Sequence, residues 1–255
     1  MINRSIMLLL VTLFWECQAP YQPEVIGHRG ARGHVAENTL PSIQKAIDLG
    51  VDAIEIDIFR CASGELVVFH DKTLEKLTDA DGYIEQYTLD SLRLVNVLGG
   101  YQIPTLREVL DLIDGQVRLN IELKGSQTAP LTHEVLQDYL DVPGTNWSAE
   151  KLFISSFDWD ELRTFYQYNQ EIPIAILTED DPLDALPVAQ ELRAFAINPD
   201  YKTLNASNVA KIYAAGLALY PWTVNAPEAI QQMKALRVSG IITDYPERVT
   251  ASENH

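Results

Sequence analysis

The chain has little sulfur and little positive charge. Its two cysteines, Cys17 and Cys61, make no disulfide framework, and without a CxxC pair they argue against a thiolate zinc site. Cys61 reads as a small filler at a strand end. Only 19 lysines and arginines stand against 36 aspartates and glutamates, a formal charge of −17. Such a surface offers no basic face to a phosphate backbone, which argues against nucleic acid as a partner. The same deficit sets a condition on any anionic small molecule. It can bind only where a few Lys or Arg side chains, or a bound cation, create a local positive focus.

Long apolar runs are also scarce. The N-terminal run Ile6–Trp15 is too short to span a bilayer as an ordinary helix. Preceded by Asn3 and Arg4, it gives residues 1–20 the look of a signal peptide or anchor. No A-x-A-like site follows, and Phe14, Trp15 and Glu16 are not the small residues that precede a lipoprotein cysteine. Export, as a periplasmic or membrane-tethered protein, is the expectation; a retained cytoplasmic extension is the alternative. Membrane contact would fall to this segment alone.

What remains is ordinary for a globular chain: 255 residues, 47% hydrophobic, with no repeated unit. That length suits one α/β barrel or two small domains. From Val25 onward, β-rich runs alternate with helical patterns. Strands are expected at Val25–His28, Ala53–Phe59, Leu66–His70, Arg118–Leu123, Lys151–Ser155, Ile172–Leu177, Ala194–Ile197, Ala218–Val224 and Gly240–Thr243. That is one more than a (β/α)8 barrel needs. The short link between Ala53–Phe59 and Leu66–His70 cannot be a parallel crossover. Either those two runs form a hairpin, or the chain bends and the barrel lacks a helix. Residues 72–102 break the rhythm and read as an insertion after the third strand. A distorted TIM barrel over residues 24–249 is favoured above a doubly wound open sheet, because polar residues follow strands near both ends of the chain.

Glu55 and Asp57 stand two apart in Ile54-Glu55-Ile56-Asp57-Ile58, so a strand puts both on one face and the isoleucines on the other. Glu122 and Lys124 repeat the pattern around Ile121 and Leu123, although alone they could be a simple ion pair. Three carboxylates at a barrel mouth form a hard-oxygen site for one divalent cation, Mg²⁺ or Ca²⁺. His28 and His70 both close strands, where a pair could share acid and base roles; singly, each could be structural. His34, His133 and His255 lack such a setting. Arg29 suits phosphate if the chain bends at Gly30, because strict alternation would turn it away from His28.

The motifs Gly27-His28-Arg29-Gly30-Ala31, Glu37-Asn38-Thr39, Glu55-Ile56-Asp57, Val68-Phe69-His70-Asp71, Glu122-Leu123-Lys124, Trp222-Thr223-Val224-Asn225 and Ile242-Thr243-Asp244-Tyr245-Pro246 occur in that order. Together they resemble the glycerophosphodiester phosphodiesterases. The resemblance implies a distorted TIM barrel that hydrolyses a small glycerophosphodiester to sn-glycerol 3-phosphate and an alcohol. It implies His28 and His70 as the acid/base pair, and Glu55, Asp57 and Glu122 as metal ligands. Arg29 and Lys124 become phosphate contacts, and Glu37 a support. Phe157 and Trp222 line the glycerol or leaving-group pocket, or else pack as core aromatics. Lys76 stands where the family often has arginine. A lysophospholipase D-like or sphingomyelinase D-like reaction would keep the same residues, and a silent ligand-binding barrel is the rival from another class.

Overall fold

The computed structural model describes residues 21–251; the N-terminal apolar segment and Cys17 lie outside the described residues, as does His255. Its elements run β1 (Glu24–His28), α1 (Leu40–Asp48), β2 (Ala53–Arg60), β3 (Leu66–Val68), α2 (Leu89–Leu92), α3 (Leu106–Ile113), β4 (Arg118–Leu123), α4 (Thr128–Leu140) and β5 (Leu152–Ser156). There follow α5 (Trp159–Tyr168), β6 (Ile174–Thr178), α6 (Leu186–Glu191), β7 (Ala196–Pro199), α7 (Ala206–Ala214), β8 (Ala218–Leu219), α8 (Pro227–Ala235), β9 (Gly240–Thr243) and α9 (Pro246–Thr250).

Strands pair in the order β8-β7-β6-β5-β4-β2-β1-β9, all parallel. The two ends of this path meet. Past β8, Val224 N–H donates to the Ile242 carbonyl and Ile242 N–H to that of Pro221, each at 3.0 Å. Eight parallel strands thus make a nearly closed barrel with helices between them. The surplus strand is β3, which pairs antiparallel with β2 through Ile58↔Val68 and Arg60↔Leu66. The hairpin alternative is therefore the one realised, and α3 supplies the helix before β4, so no helix is missing.

Two strands are shorter than their sequence patterns. β3 stops at Val68, leaving His70 in a bend. The run from Ala218 keeps strand pairing only to Leu219, although Tyr220 and Trp222 N–H still bond to Ile197 and Pro199 of β7. Pro221 has no N–H to offer between them.

The alternation of β2 divides its residues between two cores. Ile54, Ile56 and Ile58 sink into the apolar layer beneath the helices. Inside the barrel floor, Ile26, Ala53, Phe153, Ala175, Ala196, Tyr220 and Ile242 fill the cross-section, so the cavity above has an apolar base. Residues 71–102 carry little regular structure, one short 3-10 turn and the single-turn α2. They are held by their own cluster, in which Leu74, Ile84, Leu92 and Val97 pack on Phe59, Val67 and Phe69. Cys61 is buried in that same cluster, as a small filler. No described helix is long and apolar enough to cross a membrane.

Candidate active site

The ends of β1, β2 and β4 and the hairpin bend meet over the barrel mouth. His28 is the last residue of β1, and the turn begins at Arg29 itself, one residue earlier than expected. Arg29 has φ +52° and Gly30 φ +83°. A left-handed arginine costs about 1 kcal/mol or more, and local bonds offset it. Arg29 N–H donates to Glu55 Oε2 at 2.9 Å, its Nη1 to Glu37 Oε1 at 2.5 Å, and its Nε lies 3.3 Å from Asp57 Oδ2. Glu37 also holds Arg32, Nε to Oε2, at 2.6 Å. Thr39 caps α1 through the Ser42 N–H, and Asn38 grips Asp57 by Nδ2–H to Oδ2 at 2.8 Å.

Glu55 and Asp57 do share a face of β2, and Asp57 lies in register with Glu122 on β4. One oxygen from each of the three lies within 4.8 Å of the others, and the residues are only 4%, 1% and 7% exposed. Lys124 Nζ sits 2.9 Å from Glu122 Oε1 and 3.8 Å from Asp57 Oδ1. Burial, then the negative neighbours Asp57 and Glu122, hold Glu55 well above the ordinary carboxylate range. Burial and Asp57 push Glu122 up to about 8. For Asp57, burial pulls upward, but Arg29, His70, Lys124 and the Asn38 bond outweigh it and keep its proton off. Glu55 Oε1 and Asp57 Oδ1 are buried without a hydrogen-bond partner. Orphaned acceptors among converging carboxylates are costly unless a cation takes them up, so this oxygen set fits Mg²⁺ or Ca²⁺.

Each candidate histidine is held in the same way. His28 Nδ1 is 2.6 Å from Asp244 Oδ1, and His70 Nδ1 is 2.5 Å from Asp71 Oδ1. A carboxylate only accepts, so Nδ1 carries the hydrogen and both Nε2 atoms are left for the cavity or its neighbours. His70 Nε2 lies 3.3 Å from Lys124 Nζ. Asp244 is fixed by Asn225, whose Nδ2 donates to Oδ2 at 2.8 Å; Lys76 steadies Asp71 at 3.3 Å. Burial lowers the pKa of His28 despite the opposing Asp244 bond. It lowers that of His70 as well, with Asp57 opposing.

His28, Arg29, Glu55, His70, Glu122 and Lys124 line one cavity of about 280 Å³, together with Phe157, Trp222, Asn120 and Glu179. A larger hollow of about 680 Å³ over α3 and α4 contains none of them. A nearly closed barrel, a carboxylate trio, two carboxylate-held histidines, the buried Arg29 and the part-buried Lys124 thus meet at one mouth. The model of the glycerophosphoryl diester phosphodiesterase family matches residues 28–248. This chain belongs to that family. A glycerophosphodiester phosphodiesterase of Caldanaerobacter subterraneus subsp. tengcongensis is 33% identical, over 88% of this chain and 94% of that one. One from Bacillus subtilis is 30% identical, over 87% and 83%. A solved Oleispira antarctica phosphodiesterase, in complex with the product sn-glycerol-3-phosphate, superposes with a TM-score of 0.80. It is 27% identical, and the match covers 90% of this chain and 96% of that one.

Within the family fold, all ten residues singled out from the sequence lie at this mouth: eight on the cavity wall, Asp57 buried beside Glu55 and Glu122, and Glu37 paired with Arg29. Phe157 is 39% exposed, which removes it from the core, and its ring meets Trp222 edge to face. His34 pairs with Glu247 and His133 stacks on Tyr168, and neither lines the cavity. Sequence reasoning missed four neighbours: Asp244, Asn225, Asn38 and Asn120. Asp244 carried the clearest signal, because it directly follows the last barrel strand.

Proposed function

We propose that this protein hydrolyses glycerophosphodiesters to sn-glycerol 3-phosphate and an alcohol, using a divalent cation together with paired histidine chemistry. The observation that supports it most is the meeting, in one cavity, of three converging carboxylates and two histidines with carboxylate-held Nδ1 atoms. Family membership makes the enzyme a phosphoric diester hydrolase.

In this reading Glu55, Asp57 and Glu122 hold Mg²⁺ or Ca²⁺, which when bound neutralises phosphate charge and polarises the phosphorus. Arg29 and Lys124 orient the phosphate oxygens. One histidine accepts, on Nε2, the proton of the attacking hydroxyl as the P–O bond forms. The other donates its Nε2 proton to the departing alkoxide as the second P–O bond breaks. The attacking hydroxyl is that of water or the substrate's own neighbouring glycerol hydroxyl, in which case water later opens a cyclic phosphate. Depressed pKa values suit the base role, since a neutral imidazole is then the resting form. A cavity of only about 280 Å³ favours a compact head group over a lysophospholipid chain.

The test is release of glycerol 3-phosphate by metal-stripped enzyme, with Mg²⁺ or Ca²⁺ added back, for wild type, His28→Asn and His70→Asn. Chelation should abolish turnover, and each substitution should reduce kcat by about 10²–10⁴-fold. Full turnover after verified metal removal would sink the cation assignment.

A further inference from the structure

One buried carboxylate at this mouth carries two guanidinium groups. Glu37 accepts from Arg29 Nη1 on Oε1 at 2.5 Å and from Arg32 Nε on Oε2 at 2.6 Å. The two arginines are therefore separated by no more than two hydrogen bonds and the width of a carboxyl group. Their commitments differ. Arg29 also places its Nε 3.3 Å from Asp57 Oδ2, and Lys124 Nζ sits 2.9 Å from Glu122 Oε1. Among the described residues Arg32 pairs with Glu37 alone, and a guanidinium held through Nε keeps both Nη groups available as donors. Its side chain is 34% exposed and stands on the wall of the catalytic cavity with His28 and Arg29. Burial raises the Asp244 carboxyl, yet the His28 and Asn225 bonds and the charge of Arg32 together hold it low, so Arg32 is felt on the His28 side of the cavity.

Hydrolysis changes the charge of the phosphate. A diester has one ionisable oxygen, whereas the monoester product has a second, which loses its proton near about pH 6. At neutral pH the product therefore carries a negative charge that the substrate lacked. Resting on the phosphodiesterase reading above, we propose that Arg32 binds this second charge, donating from its Nη groups to the terminal oxygen gained in hydrolysis. The fork of a guanidinium matches phosphate oxygens, and Glu37 fixes its direction by holding Nε. Arg32 then grips the monoester more tightly than the diester. It becomes a determinant of product release and product inhibition, and phosphorus chemistry stays with the histidines.

The experiment uses glycerol 3-sulfate, which has the shape of the product but keeps a single charge. Binding of glycerol 3-phosphate and of the sulfate is measured by calorimetry at about pH 7.5, with Mg²⁺ or Ca²⁺ present, for wild type, Arg32→Gln and Arg32→Lys. Diester turnover is followed on the same samples. Arg32→Gln should weaken the phosphate by roughly 10-fold and the sulfate by no more than about 3-fold, and product inhibition should ease in step with the former. Arg32→Lys should recover part of the phosphate affinity. Equal losses for the two ligands overturn the proposal, because Arg32 would then act only by steadying Glu37 and Arg29. So does unchanged binding of both. Either result with turnover intact sinks this inference alone; a wild type that hydrolyses no diester sinks the parent reading, and this one with it.

Discussion

The buried trio makes a sharp prediction about Glu122→Gln in the metal-free protein. Glu122 has a folded pKa of about 8, raised by burial and by Asp57, whereas an unfolded glutamate titrates near about 4.5. Between those values the folded state keeps a proton that the unfolded state has released. Stability from this residue is therefore complete below about pH 4.5 and is lost progressively as pH rises toward about 8. The slope is about 1.4 kcal/mol per pH unit, so the whole window is worth on the order of 4–5 kcal/mol. Glutamine resembles the protonated acid and never ionises. Metal-free Glu122→Gln should match wild type near pH 4.5 and exceed it increasingly up to pH 8, where the gap should approach about 10 °C in Tm. Taking the difference between two proteins at each pH cancels most other titrations, including the general repulsion of a chain with charge −17. With saturating Mg²⁺ or Ca²⁺ the order should reverse, since the wild type alone has all three carboxylates to give. The assay is thermal denaturation from pH 4.5 to 9, in chelator and in metal. A difference that stays flat across that range would show Glu122 ionised throughout, and would refute the argument that burial sets its state.

Two further substitutions test the supports of the site. Asp244→Asn leaves His28 without the carboxylate that fixes its Nδ1 hydrogen, so kcat should fall by about 10²-fold or more. Because the Asp244 bond raises the His28 pKa against burial, the acidic limb of the pH–rate profile should also move to lower pH; an unmoved limb would mean that His28 is not the group titrating. Gly30→Ala puts a methyl group 2.5 Å from Ser42 Oγ and 2.6 Å from the Ser42 carbonyl carbon, at a residue with φ +83°. It should cost about 3 kcal/mol or more, and an unchanged Tm would contradict that packing.

The alternation of polar and isoleucine residues in β2 is strong enough to be read directly. Only one register buries Ile54, Ile56 and Ile58, and it forces Glu55 and Asp57 inward together. The same logic reaches Glu122 on β4. It did not reach Asp244, because a hydrogen bond to a residue 216 positions away depends on barrel closure. Nor did it place the turn at Arg29, because a left-handed arginine is paid for by Glu37, Glu55 and Asp57, three partners whose positions no local pattern reveals. Asn120 stayed hidden for a related reason: its role as a cavity wall follows from its pairing opposite Glu55. Residues 71–102 were legible only as an interruption, since irregular backbone has no period, and their cohesion comes from packing on the β2–β3 hairpin.

The acidity that set a condition on any anionic ligand becomes intelligible at this site. The buried Arg29 and the part-buried Lys124 flank the carboxylate trio, yet both are already engaged, by Glu37 at 2.5 Å and Glu122 at 2.9 Å. With Glu37, Glu55, Asp57 and Glu122 all ionised, four negative charges face three positive ones, Arg29, Arg32 and Lys124. Protons on Glu55 and Glu122 can restore balance, as their raised pKa values indicate; so can one divalent cation. Only the cation also leaves charge available to an incoming phosphate, because it displaces those protons and satisfies the orphaned Glu55 Oε1 and Asp57 Oδ1. If the trio takes up a cation as proposed, metal and substrate affinity are coupled, each strengthening the other by the same factor. On the proposed reading, an acidic chain needs no basic patch to bind such a diester, because its converging carboxylates would attract the ion that does so.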